Sequence, residues 1–241
     1  MVYAKATLNE TSYYPPLNLY RYTVGLGLYS KAITVVEAIL VLLDADFTDE
    51  AFGMLRTLID IYFTLRFITN KDTEARAKLY YNFFAKAHTE RQKLVPAYWP
   101  GKLPKNTPRL LQLAMPYTHP HRWSGKPMKD LALEPDAVEV DQSGNPFVPK
   151  ASYEWMFALT SHYVHPSIVA LDNHLVLRPG HDNFVVRPGH GRTLSNITAY
   201  FAAIHLYFVI LSFYRCMGDA VPRRLERLAA PLFAHLVARH L

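Results

Sequence analysis

The sequence predicts an all-α fold, a helical bundle with a proline-rich irregular insertion and a small β-hairpin. Three observations lead there. Apolar residues recur at helical spacing through several long segments. Short polar turns separate the first of these, as between antiparallel neighbours in a bundle. The prolines gather in one stretch instead of punctuating many short strands. At 241 residues, 50 % hydrophobic and 19 % charged, the chain has globular composition and suits a single domain over residues 1–241. A chain of this length buries roughly 70–75 % of its unfolded surface.

After Pro15-Pro16, a helix is predicted from about Leu17 to Asp44, apolar nearly all round between Ile33 and Leu43. The polar turn DADFTD ends it, and Thr48 or Asp49 is placed to cap a second helix reaching about Thr69. Asp72 or Thr73 is placed to cap a third, which runs to about Val95 and ends in the charged KAHTERQK. From Pro96 to Pro149 the periodicity fails. Seven of the seventeen prolines lie between Pro96 and Pro127, and only Thr107–Met115 and Lys129–Leu133 read as short helices. Residues 96–149 therefore form an irregular insertion or lid across the bundle.

A helix resumes near Lys150 and carries S-H-Y-V-H-P-S at Ser161–Ser167, a stretch whose apolar flanks predict that it is at least half buried. Two copies of R-P-G-H follow, at Arg178 and Arg187. With Val176-Leu177 and Phe184–Val186 they read as a hairpin over 175–188 turning at Asp182-Asn183, each Pro-Gly ending a strand. Helices from about Thr193 to Met217 and over Val221–Leu241 complete the chain.

Within the first of these, Ile197–Tyr214 carries no formal charge over about eighteen residues, the lower limit for a membrane span. Thr198, His205, Ser212 and three tyrosines favour a helix enclosed by others, so no span is expected. The net charge of +6 permits an anionic ligand or nucleic acid without specifying either. One cysteine, Cys216, excludes an internal disulfide. The N-terminus lacks a basic start followed by an apolar core, and the expectation is a cytoplasmic protein.

Charges on core-facing stripes need partners. Glu37 lies among apolar residues in ITVVEAILVLL, and Arg56 and Asp60 share a stripe of the second helix with Phe63 and Phe67. Arginine's fork of donors suits it to bridge two carboxylates. The expectation is a Glu37–Arg56–Asp60 cluster between the first two helices, acting either as a register-fixing ion network or as a ligand site. His162 and His165 have the i, i+3 spacing that metal sites use, but Glu154 and Asp172 stand two turns away on either side. No metal is expected. Pro166 disfavours helical geometry at His165 and re-aims the chain there, which makes His165 the favoured functional histidine. Ser161, Ser167 and Cys216 lack a nucleophile-elbow context. Gly25–Gly27 lacks the remaining spacing of a phosphate loop, so no cofactor is expected.

The Glu37 helix, then D-E-A-F-G-M-L-R-T-L-I-D at Asp49–Asp60, then Y-E-W-M-F-A-L-T-S-H-Y-V-H-P-S at Tyr153–Ser167, together resemble the bacterial domain-of-unknown-function family 5677. Members share an "A…L-R-S-L-x-E" helix and a later "Y…S…H-x-S" helix. Arg56 and Asp60 fall on the first motif, with Asp for Glu shortening the carboxylate, and Ser161, His165 and Ser167 on the second. The resemblance implies an all-helical fold and no established reaction. It also implies a distant similarity to HEPN ribonucleases of bacterial defence, whose Arg precedes His by four to six residues. None of the eleven histidines here has an arginine at that distance upstream.

Two functional classes follow, and a third stays open. One is a binding or regulatory domain in which Glu37, Arg56, Asp60, Ser161, His162 and His165 hold an anionic small molecule or nucleotide. Another is a ribonuclease-like effector, with His165 as general acid/base and Arg56 on phosphate charge. The third is an interaction module, with homo-oligomerisation open.

Overall fold

The computed structural model describes residues 19–98, 108–134, 152–165, 175–177, 184–186, 194–225 and 227. Helix α1 (Tyr20–Asp44) has no cap from its own N-cap residue, Leu19. Instead the Glu74 carboxylate accepts the Tyr20 N–H at 2.7 Å and the Arg21 N–H at 3.2 Å. It thereby satisfies two orphan donors and faces the positive end of the helix dipole. At the other end, Asp46 adopts a left-handed φ of 61°. The N–H groups of Asp46 and Phe47 donate to the Leu43 and Leu42 carbonyls, a Schellman ending with aspartate in the position glycine usually takes.

That turn decides how α2 (Thr48–Asn70) starts. Thr48 and Asp49 are expected as caps, yet Phe47 occupies the boundary and both residues lie inside the helix. Asp49 and Glu50 still put negative charge on the first turn. α3 (Thr73–Tyr98) runs past the expected stop at Val95, because a proline in the last turn removes only one helical bond. Two short helices, α4 (Pro108–Ala114) and α5 (Met128–Ala132), occupy the described part of the insertion. The next segment is π-helical over Ser152–Phe157 and continues as α6 (Ala158–Val164). α7 (Ser195–Met217) ends in a second Schellman turn at Gly218, φ 79°.

The fold is all-α. Residues Leu175–Leu177 and Phe184–Val186 pair antiparallel, Val176 opposite Val185, too short a ladder to form a layer. The turn expected at Asp182-Asn183, and both R-P-G-H copies apart from their flanking residues, lie outside the described residues. So does most of the helix expected over Val221–Leu241, of which Arg223–Leu225 and Arg227 are described as helical.

α1, α2 and α7 pack on one another, with α3 against α1 and α2, α4 against α3, and α5 and α6 against α2. The most enclosed helix is α2. Every residue from Ile61 to Ile68 is buried, and Phe52, Leu55, Leu58, Ile59, Tyr62 and Phe63 are wholly so. α1, apolar all round in sequence, leaves Leu40 and Val41 exposed. Both α1 and α7 are long and apolar enough to cross a membrane by length and composition alone. Here they meet through stacked rings, Tyr29 on Phe213 at 4.4 Å between centroids. The insertion contributes Trp123, edge-on to Phe67 and Tyr80 at 5.6 and 5.0 Å.

Two glycines of α1 face different neighbours. A Cβ on Gly25 would lie within 3 Å of Met217 Cε and 3.1 Å from Cys216 Sγ, whereas one on Gly27 would meet none of the described residues within 4 Å. Cys216 cannot retreat freely, because its thiol donates to the Arg21 carbonyl at 3.2 Å. Gly27→Ala should therefore raise stability by about 0.5–1 kcal/mol through helix propensity alone. Gly25→Leu should lower it by about 1–3 kcal/mol through overpacking. Urea unfolding midpoints of the two variants check both signs.

His205 on α7 is 1 % exposed, with Tyr62 and Phe208 edge-on to its ring. Its Nδ1 lies 2.8 Å from the Phe201 carbonyl, so Nδ1 carries the proton, and Nε2 is buried without a partner among the described residues. Burial pushes its pKa down to about 4, against a small upward pull from the Phe201 carbonyl. A depressed histidine contributes stability that is complete above its unfolded pKa of 6.5 and is lost as pH falls toward 4. The loss is on the order of 3 kcal/mol. Thermal melts between pH 7 and 4 should show this fall in the wild type, and His205→Leu should remove it.

Candidate functional site

On α2, Arg56 sits at the edge of the buried face, and α6 with its π-helical lead-in crosses beside it. A π turn holds an extra residue and so re-aims the backbone that follows. The carbonyl of its last residue, Phe157, gathers three donors: Ser161 Oγ at 2.5 Å, Thr160 Oγ1 at 3.2 Å and Arg56 Nη1 at 3.4 Å. Arg56 Nη1 also donates to Ser161 Oγ, and its guanidinium lies over the Phe157 ring, Cζ 3.1 Å from the centroid. A flat cation on an aromatic face is held in plane as well as attracted. The π turn, Ser161 and the Phe157 ring thus orient one guanidinium.

Asp60, one turn along α2, completes the group. Its Oδ2 lies 3.4 Å from Arg56 Nε, and the two side chains are 37 % and 23 % exposed. At that separation the contact is an ion pair at the long end of hydrogen-bond reach. Burial raises the Asp60 pKa and Arg56 opposes the rise; burial likewise lowers that of Arg56 and Asp60 opposes it. Arginine stays charged regardless. For Asp60 a raised folded pKa means that ionisation costs stability. Its contribution is complete below the unfolded value of 3.8 and is lost as pH rises above it.

Among the described residues, the structure brings Arg56, Asp60 and Ser161 together. Glu37 is half-buried in α1, and Asp60 and Tyr153 both act electrostatically on Arg56. His162 and His165 are exposed, as is Val164. Of the described residues of this stretch, Ser161 and Tyr163 are half-buried and the histidines exposed, because the π turn and α6 point Met156, Phe157 and Thr160 inward. His165 ends α6 with extended φ and ψ of −109° and 145°, as a residue before proline should. Its N–H donates to the Ser161 carbonyl at 3.3 Å. Ser167 lies outside the described residues.

A second polar group, which the sequence reading did not single out, lies further along α2. Arg66, 3 % exposed, donates to the carbonyls of Leu131, Ala132 and Glu134 at 3.4, 3.1 and 2.9 Å. A cation at a helix C-terminus is favoured by the dipole and satisfies orphan carbonyls. Arg76 grips Glu134 with two bonds of 2.7 and 3.0 Å, lies over the Phe67 ring and donates to the Phe67 carbonyl. Asn70 and Lys126 also meet Glu134. Although burial alone would raise it, these partners hold the Glu134 carboxyl below the usual range. Arg66 carried the signal that drew attention to Glu37, a charge in an apolar run. Glu134 had none, since it belongs to no periodic segment.

The half-exposed Arg56–Asp60 contact should be weak and the Arg56–Ser161 contact stronger. Double-mutant cycles by urea unfolding should give a coupling below about 1 kcal/mol for Arg56→Ala with Asp60→Ala. For Arg56→Ala with Ser161→Ala the expected value is about 1.5–3 kcal/mol, that of a hydrogen bond to a charged group.

A model described as Family of unknown function (DUF5677) covers residues 22–183. No curated protein and no solved structure matches the chain significantly.

Proposed function

This chain belongs to the Family of unknown function (DUF5677), and from that premise we propose that it is a helical binding or regulatory domain whose ligand is an anionic small molecule or nucleotide held at Arg56. One observation carries the reading. The Arg56 guanidinium is oriented by the Phe157 ring, the Phe157 carbonyl and Ser161 while its side chain keeps 23 % of its surface exposed. A cation that serves only to tie helices is better enclosed, as Arg66 is. One that meets a ligand gains from being fixed beforehand, because less freedom is lost on binding.

Asp60 is the internal competitor. An anion approaching Arg56 meets the carboxylate already beside it, and protonating Asp60 removes that repulsion. Affinity should therefore rise as pH falls toward the raised Asp60 pKa, and Asp60→Asn should bind more tightly than wild type at pH 7. Native mass spectrometry of the purified protein identifies what co-purifies. Arg56→Ala should lose the bound species and Arg56→Lys retain part of it. Equal occupancy in wild type and Arg56→Ala removes Arg56 from any site.

A second reading, an RNA-cleaving effector, rests on the exposed His165 standing one turn beyond Ser161, the acceptor of Arg56. Arg56 would then stabilise phosphate charge and His165 transfer the proton. RNA cleavage by the wild type that disappears in His165→Ala selects this reading over simple binding. Absence of both a bound species and cleavage leaves the polar contacts as ties of an interaction module.

A further inference from the structure

The segment that orients Arg56 brings a phenol to the same place. Tyr153, Phe157 and Ser161 are four residues apart, a spacing that sets them along one side of the π turn and α6. That side lies against α2 in antiparallel order. Gly53 approaches the Tyr163 carbonyl, to within 3.4 Å of where its Cβ would stand. Arg56 meets Ser161 and Phe157, and Phe63 meets Phe157 and Tyr153, each at 6.1 Å between ring centroids. Asp60, between Arg56 and Phe63 on α2, therefore comes opposite the interval from Phe157 to Tyr153.

The Tyr153 ring is held by two neighbours. It stacks on Phe157 at 4.9 Å with 25° between the planes, and the wholly buried Phe63 is tilted against it. Phe157 also carries the Arg56 guanidinium, so one buried ring supports both a cation and a phenol. Tyr153 is half-buried and acts electrostatically on Arg56, which puts its polar end within range of the cation. A packed aromatic body with a polar tip at the boundary is how tyrosine serves binding surfaces.

We propose, resting on the reading of Arg56 as a ligand site, that Tyr153 is a second ligand-binding residue there and that the group bound is a phosphate, free or terminal on a nucleotide. The donors select phosphate over carboxylate. A carboxylate has two oxygens, and a guanidinium fork can satisfy both. A phosphate presents three or more, so the phenol O–H beside the cation finds an acceptor of its own. The phenol is neutral and, unlike ionised Asp60, does not repel the anion. Once protonated, Asp60 adds a further donor.

Isothermal titration of the full chain with inorganic phosphate and with adenosine monophosphate, at an ionic strength held by chloride, tests this. Tyr153→Phe keeps the ring stack and removes only the hydroxyl. It should weaken the binding of both about tenfold, the loss of one hydrogen bond to a charged group, with the melting temperature of the unliganded protein unchanged. The tighter of the two in the wild type names the source of the phosphate. Unchanged affinity in Tyr153→Phe, with binding abolished in Arg56→Ala, overturns the role of Tyr153 and leaves the Arg56 site standing. Unchanged affinity in Arg56→Ala overturns both. A wild type that binds neither, or that binds acetate as tightly as phosphate, overturns the ligand class. A fall in melting temperature alongside affinity in Tyr153→Phe overturns the proposal in favour of a structural hydroxyl.

Discussion

Two guanidiniums on one enclosed helix, Arg56 and Arg66 of α2, hold together the parts of the fold that helix packing alone would not. Each takes a segment outside the three-helix centre and grips it by its backbone. Arg56 reaches the Phe157 carbonyl and Ser161 at the π turn before α6, and Arg66 reaches three carbonyls at the end of α5. Backbone oxygens at a helix end lack the regular helical N–H partner, and a carbonyl has a second lone pair to share. An arginine with its donors spread in a plane supplies several at once. The irregular segments thus acquire fixed positions without long apolar periodicity of their own.

The two arginines differ in what they leave open. Arg66 is enclosed, its charge met by the negative end of a helix, with Arg76, Glu134, Asn70 and Lys126 extending the polar group around Phe67. Arg56 keeps a solvent-facing part and a carboxylate neighbour whose ionisation is disfavoured by burial. The titrating groups of the two regions also pull in opposite directions. Glu134, held low by its partners, favours the fold at higher pH, whereas Asp60 favours it at lower pH.

Part of this site was legible from spacing. Arg56 and Asp60 at i, i+4 place both on one face, and Ser161 stood in the stretch that drew attention first. Which faces of α1 and α2 meet, and so what Glu37 of α1 faces, is a matter of packing, and periodicity carries no information about that. Phe157 could not be found either. It reads as an ordinary core aromatic, and its role comes from a carbonyl that the π turn turns toward Arg56 and from a ring lying beneath the guanidinium. The histidines illustrate the reverse. Their apolar neighbours pointed to burial, but α6 has a period that sends Thr160 inward and His162 and His165 outward.

By itself, the sequence determined the all-α class, the helices α1, α2, α3 and α7 to within a few residues at most ends, and the end of α6 before Pro166. Those features follow from side-chain periodicity, turn chemistry and the steric demands of proline, all local. Only the tertiary structure decided that α2, and not the more uniformly apolar α1, is the most enclosed helix. It also decided that Glu74 caps α1 from α3, and that Trp123 of the insertion enters the core. Each depends on elements brought side by side from far apart in the chain, where a carboxylate, a ring or a guanidinium finds its partner by position in space.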